Sequence, residues 1–276
     1  MADVLREIVR RKRTEVAAAQ RLTPMAVLHE RIAELGRPRN FFQAVVDHGN
    51  KKTTRVIAEV KRKSPSAGII RHDFDPVAIA RGYHANGAAA ISCLTDEEGF
   101  GGRLEYIHAI RDAVPLPVLR KDFIIDPYQV WESRAAGADA ILLIAECLTE
   151  AEIVDLQILA VELGMTVLVE VHDIENLYRV HPHIGFPHAG YSLLGINNRN
   201  LRTMKSDLTH CMRMAETLDD TTIVVAESGI ATNADLQRLQ AHGINIALVG
   251  ESLCRQPDPG EALHALLHGE NGERPA

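Results

Sequence analysis

From Arg55 to His268 the chain alternates short apolar runs of strand length with longer stretches of helix length, eight times over. The spacing predicts strands over 55–60, 88–94, 117–121, 139–144, 165–170, 192–196, 222–226 and 245–249. It predicts helices over 76–86, 103–113, 127–136, 149–163, 173–180, 205–217, 232–241 and 258–268. Several helix-to-strand junctions carry a glycine: Gly87-Ala88, Gly137-Ala138, Gly164-Met165 and Gly243-Ile244. Glycine just past a helix is a normal stop signal, and its recurrence at similar spacing marks a repeated βα unit. Eight such units close into a (β/α)8 barrel, the TIM-barrel fold of class α/β, for which ~250 residues is typical.

The same runs end in charged or polar residues. Side chains alternate along a strand, so Ile57, Glu59 and Lys61 share one face. So do Leu119, Lys121 and Phe123, then Leu168, Glu170 and His172, then Gly195, Asn197 and Arg199. Two further runs lead into Glu227-Ser228-Gly229 and Gly250-Glu251-Ser252. Charges are rarely buried unless paired or put to use. One such strand would fit a structural ion pair equally well. Reactive residues at the carboxyl ends of many strands are the layout of a barrel active site.

Composition agrees with a large core and excludes several partners. Apolar residues make up 46% and aromatics only 4%, so Ala, Val, Ile and Leu carry the core, as in buried parallel strands. A net charge of −7 offers no general attraction to nucleic acid. No apolar run approaches the ~20 residues that span a bilayer. The N-terminus has no signal-peptide apolar region, and Asp3, Glu7 and Glu15 argue against a transit peptide. Cys93, Cys147, Cys211 and Cys254 show no paired spacing, which fits free thiols in a reducing compartment. The expectation is a cytoplasmic protein without nucleic-acid or membrane partners.

Residues 1–54 read as a helical extension ahead of the barrel at 55–268, with a polar, disordered tail at 269–276, all in one domain. Leu5, Ile8, Val9 and Val16 lie near helical spacing up to about Leu22. Thr23-Pro24 starts a second helix to about Leu35, and Phe41 to Val46 reads as a third. Trp131 reads as helix packing. His181, His183 and His188 lack matching carboxylates, so no metal is expected.

Phosphate in such barrels often binds at the loops after the seventh and eighth strands. Gly229 and Gly250 let backbone N–H groups approach an anion, and Ser228 offers a hydroxyl. Ser64 and Arg199 are placed to close that site. Lys61 and Lys121, with Glu59 and Glu170, can do acid–base work. A lysine among other cations, or partly desolvated, has a lowered pKa and cycles protons near neutral pH. A Schiff-base lysine is the competing chemistry, since aldolase-type barrels also carry a lysine at a strand end.

Ile57-Ala-Glu-Val-Lys-Arg-Lys-Ser-Pro-Ser-Ala-Gly68, Leu119-Arg-Lys-Asp-Phe-Ile-Ile-Asp-Pro-Tyr-Gln129, Leu168-Val-Glu-Val-His172, Gly195-Ile-Asn-Asn-Arg-Asn-Leu201, Ala226-Glu-Ser-Gly-Ile230 and Leu248-Val-Gly-Glu-Ser-Leu253 together resemble the indole-3-glycerol phosphate synthase family. The resemblance runs from the N-terminal helices to the last barrel helix. It implies a carboxy-lyase of tryptophan biosynthesis that needs no cofactor. Its substrate would be 1-(2-carboxyphenylamino)-1-deoxyribulose 5-phosphate, which loses carbon dioxide and water to give indole-3-glycerol phosphate.

By the resemblance, Lys121 is the general acid on the ribulose C2 carbonyl oxygen and Glu170 the base or proton shuttle of dehydration. Lys61 would bind the substrate carboxylate or phosphate and share the acid role. Glu59 would orient the lysines and steady charge on the ring nitrogen. Asn197 would hold a sugar hydroxyl, and Phe123, Pro65 and Leu142 would form the aryl slot. Ser64, Arg199, Ser228, Gly229, Gly250 and the Glu251 backbone would hold phosphate. The resemblance also leaves room for contact with other tryptophan-pathway enzymes, and it places the N-terminal helices over the barrel mouth near the first βα loop.

Two departures stand out. The polar segment from Arg179 to Ser192 is longer than the family's usual link and belongs on the rim away from the site. The Asp96 to Gly102 loop has one phenylalanine where two bulky residues are expected. A phosphoribosylanthranilate isomerase-like enzyme would need a cysteine or aspartate base at strand ends. A non-catalytic ligand-binding barrel would be favoured by loss of Lys121 or Glu170, and both are present.

Overall fold

The computed structural model of the chain describes residues 3–46, 53–201 and 203–269. Its strands are β1 (Arg55–Val60), β2 (Ala90–Leu94), β3 (Val118–Lys121), β4 (Ala140–Ile144), β5 (Thr166–Val171), β6 (Ser192–Asn197), β7 (Val224–Glu227) and β8 (Ile246–Val249). All neighbours pair in parallel, and β8 closes on β1 with Ile57 opposite Leu248. The eightfold alternation thus builds the expected (β/α)8 barrel.

Strand alternation sorts the core into two layers. Ile57, Leu119, Leu142, Leu168, Val225 and Leu248 point inward and pack on one another along the axis. Val56, Ala58, Ile91, Val118, Ile141 and Val169 point outward against the helices. The helices start where local chemistry prescribes. Asp75, Asp126 and Asp258 cap helices whose first turn holds a proline, and Thr149 and Thr232 form capping boxes with Glu152 and Asp235. These side chains satisfy N–H groups the helix leaves unpaired.

The sixth barrel helix is the main departure from the predicted boundaries. It runs over Thr209–Ala215 instead of 205–217. Arg199 and Ser206 pair across an antiparallel bridge, and Asp207 Oδ1 accepts from the Thr209 N–H at 3.0 Å. The described residues between them are therefore committed to a loop at the barrel mouth.

Three helices precede the barrel: α1 (Asp3–Leu22), α2 (Met25–Glu34) and α3 (Phe41–Val45). Helix α3 is the floor. Phe41 and Val45 are fully buried among Ile57, Ala90, Leu193 and Ile246, at the ends of the strands away from the catalytic rim. Just before α3, Arg39 donates to the Val114, Leu116 and Arg111 carbonyls, and its own N–H donates to Asp139. Helix α1 lies at the opposite end. Lys12 Nζ is 2.8 Å from Asp96 and 2.9 Å from Asp122, which follow β2 and β3, and Arg11 also reaches Asp96 at 2.6 Å. Tyr128 Oη donates to the Ala19 and Thr23 carbonyls. These anchors hold α1 on the loops after β2 and β3, and its Leu5 and Ile8 line one cavity with Pro65 of the loop after β1. Trp131 meets His29 of α2 edge-on, with ring centres 4.6 Å apart. Of the expected tail, only Gly269 falls within the described residues.

Candidate active site

The carboxyl ends of the strands open into a cavity of about 480 Å³. Its lining includes Glu59, Lys61, Pro65, Lys121, Phe123, Leu142, Glu170, Asn197, Arg199, Ser228, Gly229, Gly250 and Glu251. Thus all but one of the sequence-derived site residues meet in one space. The exception is Ser64. It is buried in the two-residue strand Lys63–Ser64, where its Oγ accepts from the Ala67 N–H at 3.2 Å. Its Oγ also lies 3.3 Å from Ser66 Oγ, and Ser66 in turn accepts from Arg199 at 3.0 Å, so Ser64 stands one hydrogen bond behind the rim.

At the base of the cavity Lys121 Nζ lies 2.8 Å from Glu170 Oε2 and 3.2 Å from Glu227 Oε2. Alternation in β3 sends Lys121 inward. It sends Arg120 outward, to Thr95, Asp122, Glu132 and Ser133. Burial alone would lower the Lys121 pKa, but its carboxylate neighbours, the Glu170 charge first and Glu59 more distantly, outweigh it and raise it. The expectation of a lysine lowered by neighbouring cations is therefore corrected. Its neighbours are carboxylates, and the ammonium is firmly held. Lys61 forms a close ion pair with Glu59, whose Oε2 also accepts from Ser92 Oγ at 3.4 Å.

Glu227 was missed as a charged site residue, although Val225 and Glu227 share the inward face of β7 by the same alternation. It is fully buried. Burial and the adjacent Glu170 charge push its carboxyl up, to about 8, against the opposing pull of Lys121. Glu170 moves the other way: burial would raise it, but Lys121 and His172 hold it below the ordinary carboxylate range. Like charges in one buried site cannot both ionise easily, so the pair keeps one proton, on Glu227. Glycine makes the room. A side chain at Gly195 would run into Glu227 Oε1 and press on Leu168, and one at Gly250 would overlap Glu59.

The remaining walls divide by chemistry. Phe123 and Phe100 face each other at 6.3 Å between ring centres, beside Pro65, Leu94, Leu142 and Ile144. Leu5 and Ile8 of α1 complete this apolar side, which the sequence reading had built from the barrel alone. Opposite lie the glycine loops after β7 and β8. Ser228 and Gly229 both take left-handed backbone conformations, which is uncommon for serine and marks a constrained turn. Arg199 donates to Ser66 and Glu251, and its buried Nε meets no acceptor among the described residues. Glu251 is held between Arg199 and Arg255, and Gly250 begins a short helix without any side-chain cap. Asn197 donates to Glu170 Oε1 at 3.1 Å and accepts from the Arg199 N–H at 3.0 Å, which fixes its amide.

The arrangement offers an ammonium beside one ionised and one protonated carboxyl, an apolar slot, and a cationic, glycine-lined rim. The indole-3-glycerol phosphate synthase family model matches residues 5–266. The chain belongs to this family.

A relative named indole-3-glycerol phosphate synthase from Rhodopirellula baltica is 48% identical, covering 96% of this chain and 98% of its own. One from Acidithiobacillus ferrooxidans is 46% identical, covering 97% and 99%. Among solved structures, a 3-hexulose-6-phosphate synthase from Salmonella typhimurium aligns with a TM-score of 0.58 at 14% identity, covering 77% of this chain and 98% of its own. That likeness speaks for the barrel alone. As a member of the indole-3-glycerol phosphate synthase family the protein is a carboxy-lyase of tryptophan biosynthesis. It closes the ring of 1-(2-carboxyphenylamino)-1-deoxyribulose 5-phosphate with loss of carbon dioxide and water. Among the described residues no helix is long and apolar enough to cross a membrane, and no three metal-ligating side chains cluster. His183 instead pairs with Glu150, the first residue of the helix after β4, at 2.7 Å.

Proposed function

We propose the following division of labour for ring closure, decarboxylation and dehydration. The aryl ring lies between Phe123, Phe100, Pro65 and Leu142, with Leu5 and Ile8 over it, and the phosphate lies among Arg199, Ser228, Gly229 and the Gly250-Glu251 backbone. The observation that carries the reading is the Lys121 ammonium 2.8 Å from Glu170 at the base of the cavity, between those two walls. The aryl carbon that bears the carboxylate attacks the C2 carbonyl carbon. Negative charge grows on the carbonyl oxygen, and Lys121 gives it a proton. The neighbouring carboxylates keep Lys121 protonated until it is called on, and the acceptor, as it becomes an alkoxide, is a strong enough base to take the proton.

The new bond leaves positive charge on the ring nitrogen, which Glu59 steadies. The carboxylate then leaves as carbon dioxide, and its bonding electrons neutralise that nitrogen. An apolar slot favours this loss, since a carboxylate is poorly solvated there. Dehydration follows: the C2 hydroxyl departs, protonated from the Lys61–Lys121 side, and Glu170 takes the ring proton. Asn197 holds a sugar hydroxyl. Ser64, beside Ser66 and Arg199, adds its hydroxyl to the phosphate side. The compartment of this reading is the cytoplasm, supported by four free thiols. Contact with other pathway enzymes belongs to the resemblance and would be tested by co-sedimentation with them.

Glu170→Gln tests the split of roles. In a single turnover the variant should release carbon dioxide before indole fluorescence appears, with the ring-closed intermediate accumulating between. If both signals slow together, Glu170 serves ring closure and the assignment is wrong.

A further inference from the structure

Behind Glu170 sits a second charged pair that the scheme above does not use. Glu146 lies in the 3-10 turn Ala145–Cys147 after β4. Its Oε1 accepts from the His172 backbone N–H at 2.8 Å, and its Oε2 lies 3.1 Å from His172 Nδ1. The other ring nitrogen, Nε2, lies 3.3 Å from Glu170 Oε1. Both ring nitrogens therefore face carboxylate oxygens, which only accept, and only the doubly protonated ring serves both. All three side chains are buried. The turn that carries Glu146 is itself held: Arg179 donates to the Ala145 and Leu148 carbonyls.

We infer that His172 and Glu146 are positioning residues for Glu170: the imidazolium, gripped by Glu146, fixes Glu170 Oε1 and keeps that carboxyl ionised until it takes the dehydration proton. The inference rests on the reading of Glu170 as the dehydration base. Substrate must draw Lys121 from Glu170 Oε2 toward its carbonyl oxygen. Glu170 then keeps the Oε1 contacts, with Asn197, which is neutral, and with His172, which is charged, besides its hydrogen bond with Glu227. Glu227 stands beside it with a proton to give. Without the imidazolium, Glu170 would compete for that proton and arrive at dehydration already neutral. The charged or titratable groups facing the pair are Lys121 from β3, Glu146 and Cys147 after β4, Glu227 from β7 and, more distantly, Glu59 from β1. His210 Nε2 lies 3.0 Å from the His172 carbonyl, not from its ring. Burial alone would lower the His172 pKa, but the hydrogen bond to Glu146 and the charges of Glu170 and Glu146 leave it raised.

The test is the pH dependence of kcat in His172→Gln, which keeps a donor but no charge, and in Glu146→Gln, which leaves the ring in place. We expect kcat of His172→Gln to fall about tenfold near pH 6 and much less near pH 8.5, with KM changed less than about threefold. The acid limb of the profile should move up by at least about one pH unit, to near pH 7, and by less but in the same direction in Glu146→Gln. An equal loss at every pH, or no loss, in both variants would overturn the relay. If His172→Gln fails to fold, Glu146→Gln alone decides it by whether its acid limb moves up. Glu170→Gln is the control: near wild-type turnover there would refute Glu170 as base. An inactive Glu170→Gln with unmoved limbs in the other two would refute only the relay.

Discussion

Glu227 and Gly195 are legible in the same few letters, yet only the packed strands bring them together. Gly195 on β6 faces Glu227 on β7, and any Cβ there would enter the space of Glu227 Oε1. Gly195→Ala should therefore destabilise the protein by about 1–3 kcal/mol, as overpacking does, and lower kcat by displacing Glu227. Thermal denaturation and steady-state kinetics on the variant would check both. Glu227 also has a signature in pH. Its folded pKa is raised, so its contribution to stability is complete below the ordinary carboxylate range and is lost as pH rises toward about 8. Glu227→Gln removes that loss. Its melting temperature relative to wild type should rise between pH 5 and pH 8.5; a constant difference would place the proton elsewhere. The inward positions of Glu59, Lys61, Lys121 and Glu170 were readable because strand alternation is strict. Glu146 was not, because a 3-10 turn after a strand has no period to read.

The elements before the barrel divide into a lid and a floor, and the sequence could not separate them. Both α1 and α3 show apolar faces, and what each covers depends on where the chain crosses the barrel. Phe41 and Val45 fill its closed end, so removing residues 2 to 42 would take the floor with the lid. A cleaner cut removes residues 2 to 22. That variant should stay folded at lower stability, with KM raised more than kcat is lowered, because Leu5 and Ile8 leave the apolar wall. Unchanged KM would show α1 to be no part of the binding site. Lys12 tests the anchor by itself. It is 4% exposed and bridges Asp96 and Asp122, so Lys12→Ala leaves each buried carboxylate with one cation, Arg11 or Arg120, and cuts the link between them. The expected cost is about 2 kcal/mol, read from denaturant unfolding, below that of a fully stranded charge. The shortened helix at Thr209–Ala215 was beyond prediction for a related reason: the Arg199–Ser206 bridge that pre-empts its start is a contact between loop residues.

At the scale of the whole molecule, the barrel gathers residues from six strands around one proton-handling centre. The fold was legible almost throughout, because eight repeats of one pattern correct one another's errors. The wall opposite the apolar slot was legible as two glycine loops but not in detail. That Arg199 meets Ser66, with Ser64 behind it, follows from the geometry of the turn and not from composition. The central claim is that Lys121 gives the ring-closing proton. It is tested most directly by incubating Lys121→Arg with 1-(2-carboxyphenylamino)-1-deoxyribulose 5-phosphate and following indole fluorescence. Guanidinium keeps the charge but does not release its proton, so kcat should fall about 10²-fold or more, with KM changed little. Turnover near the wild-type rate would contradict the assignment.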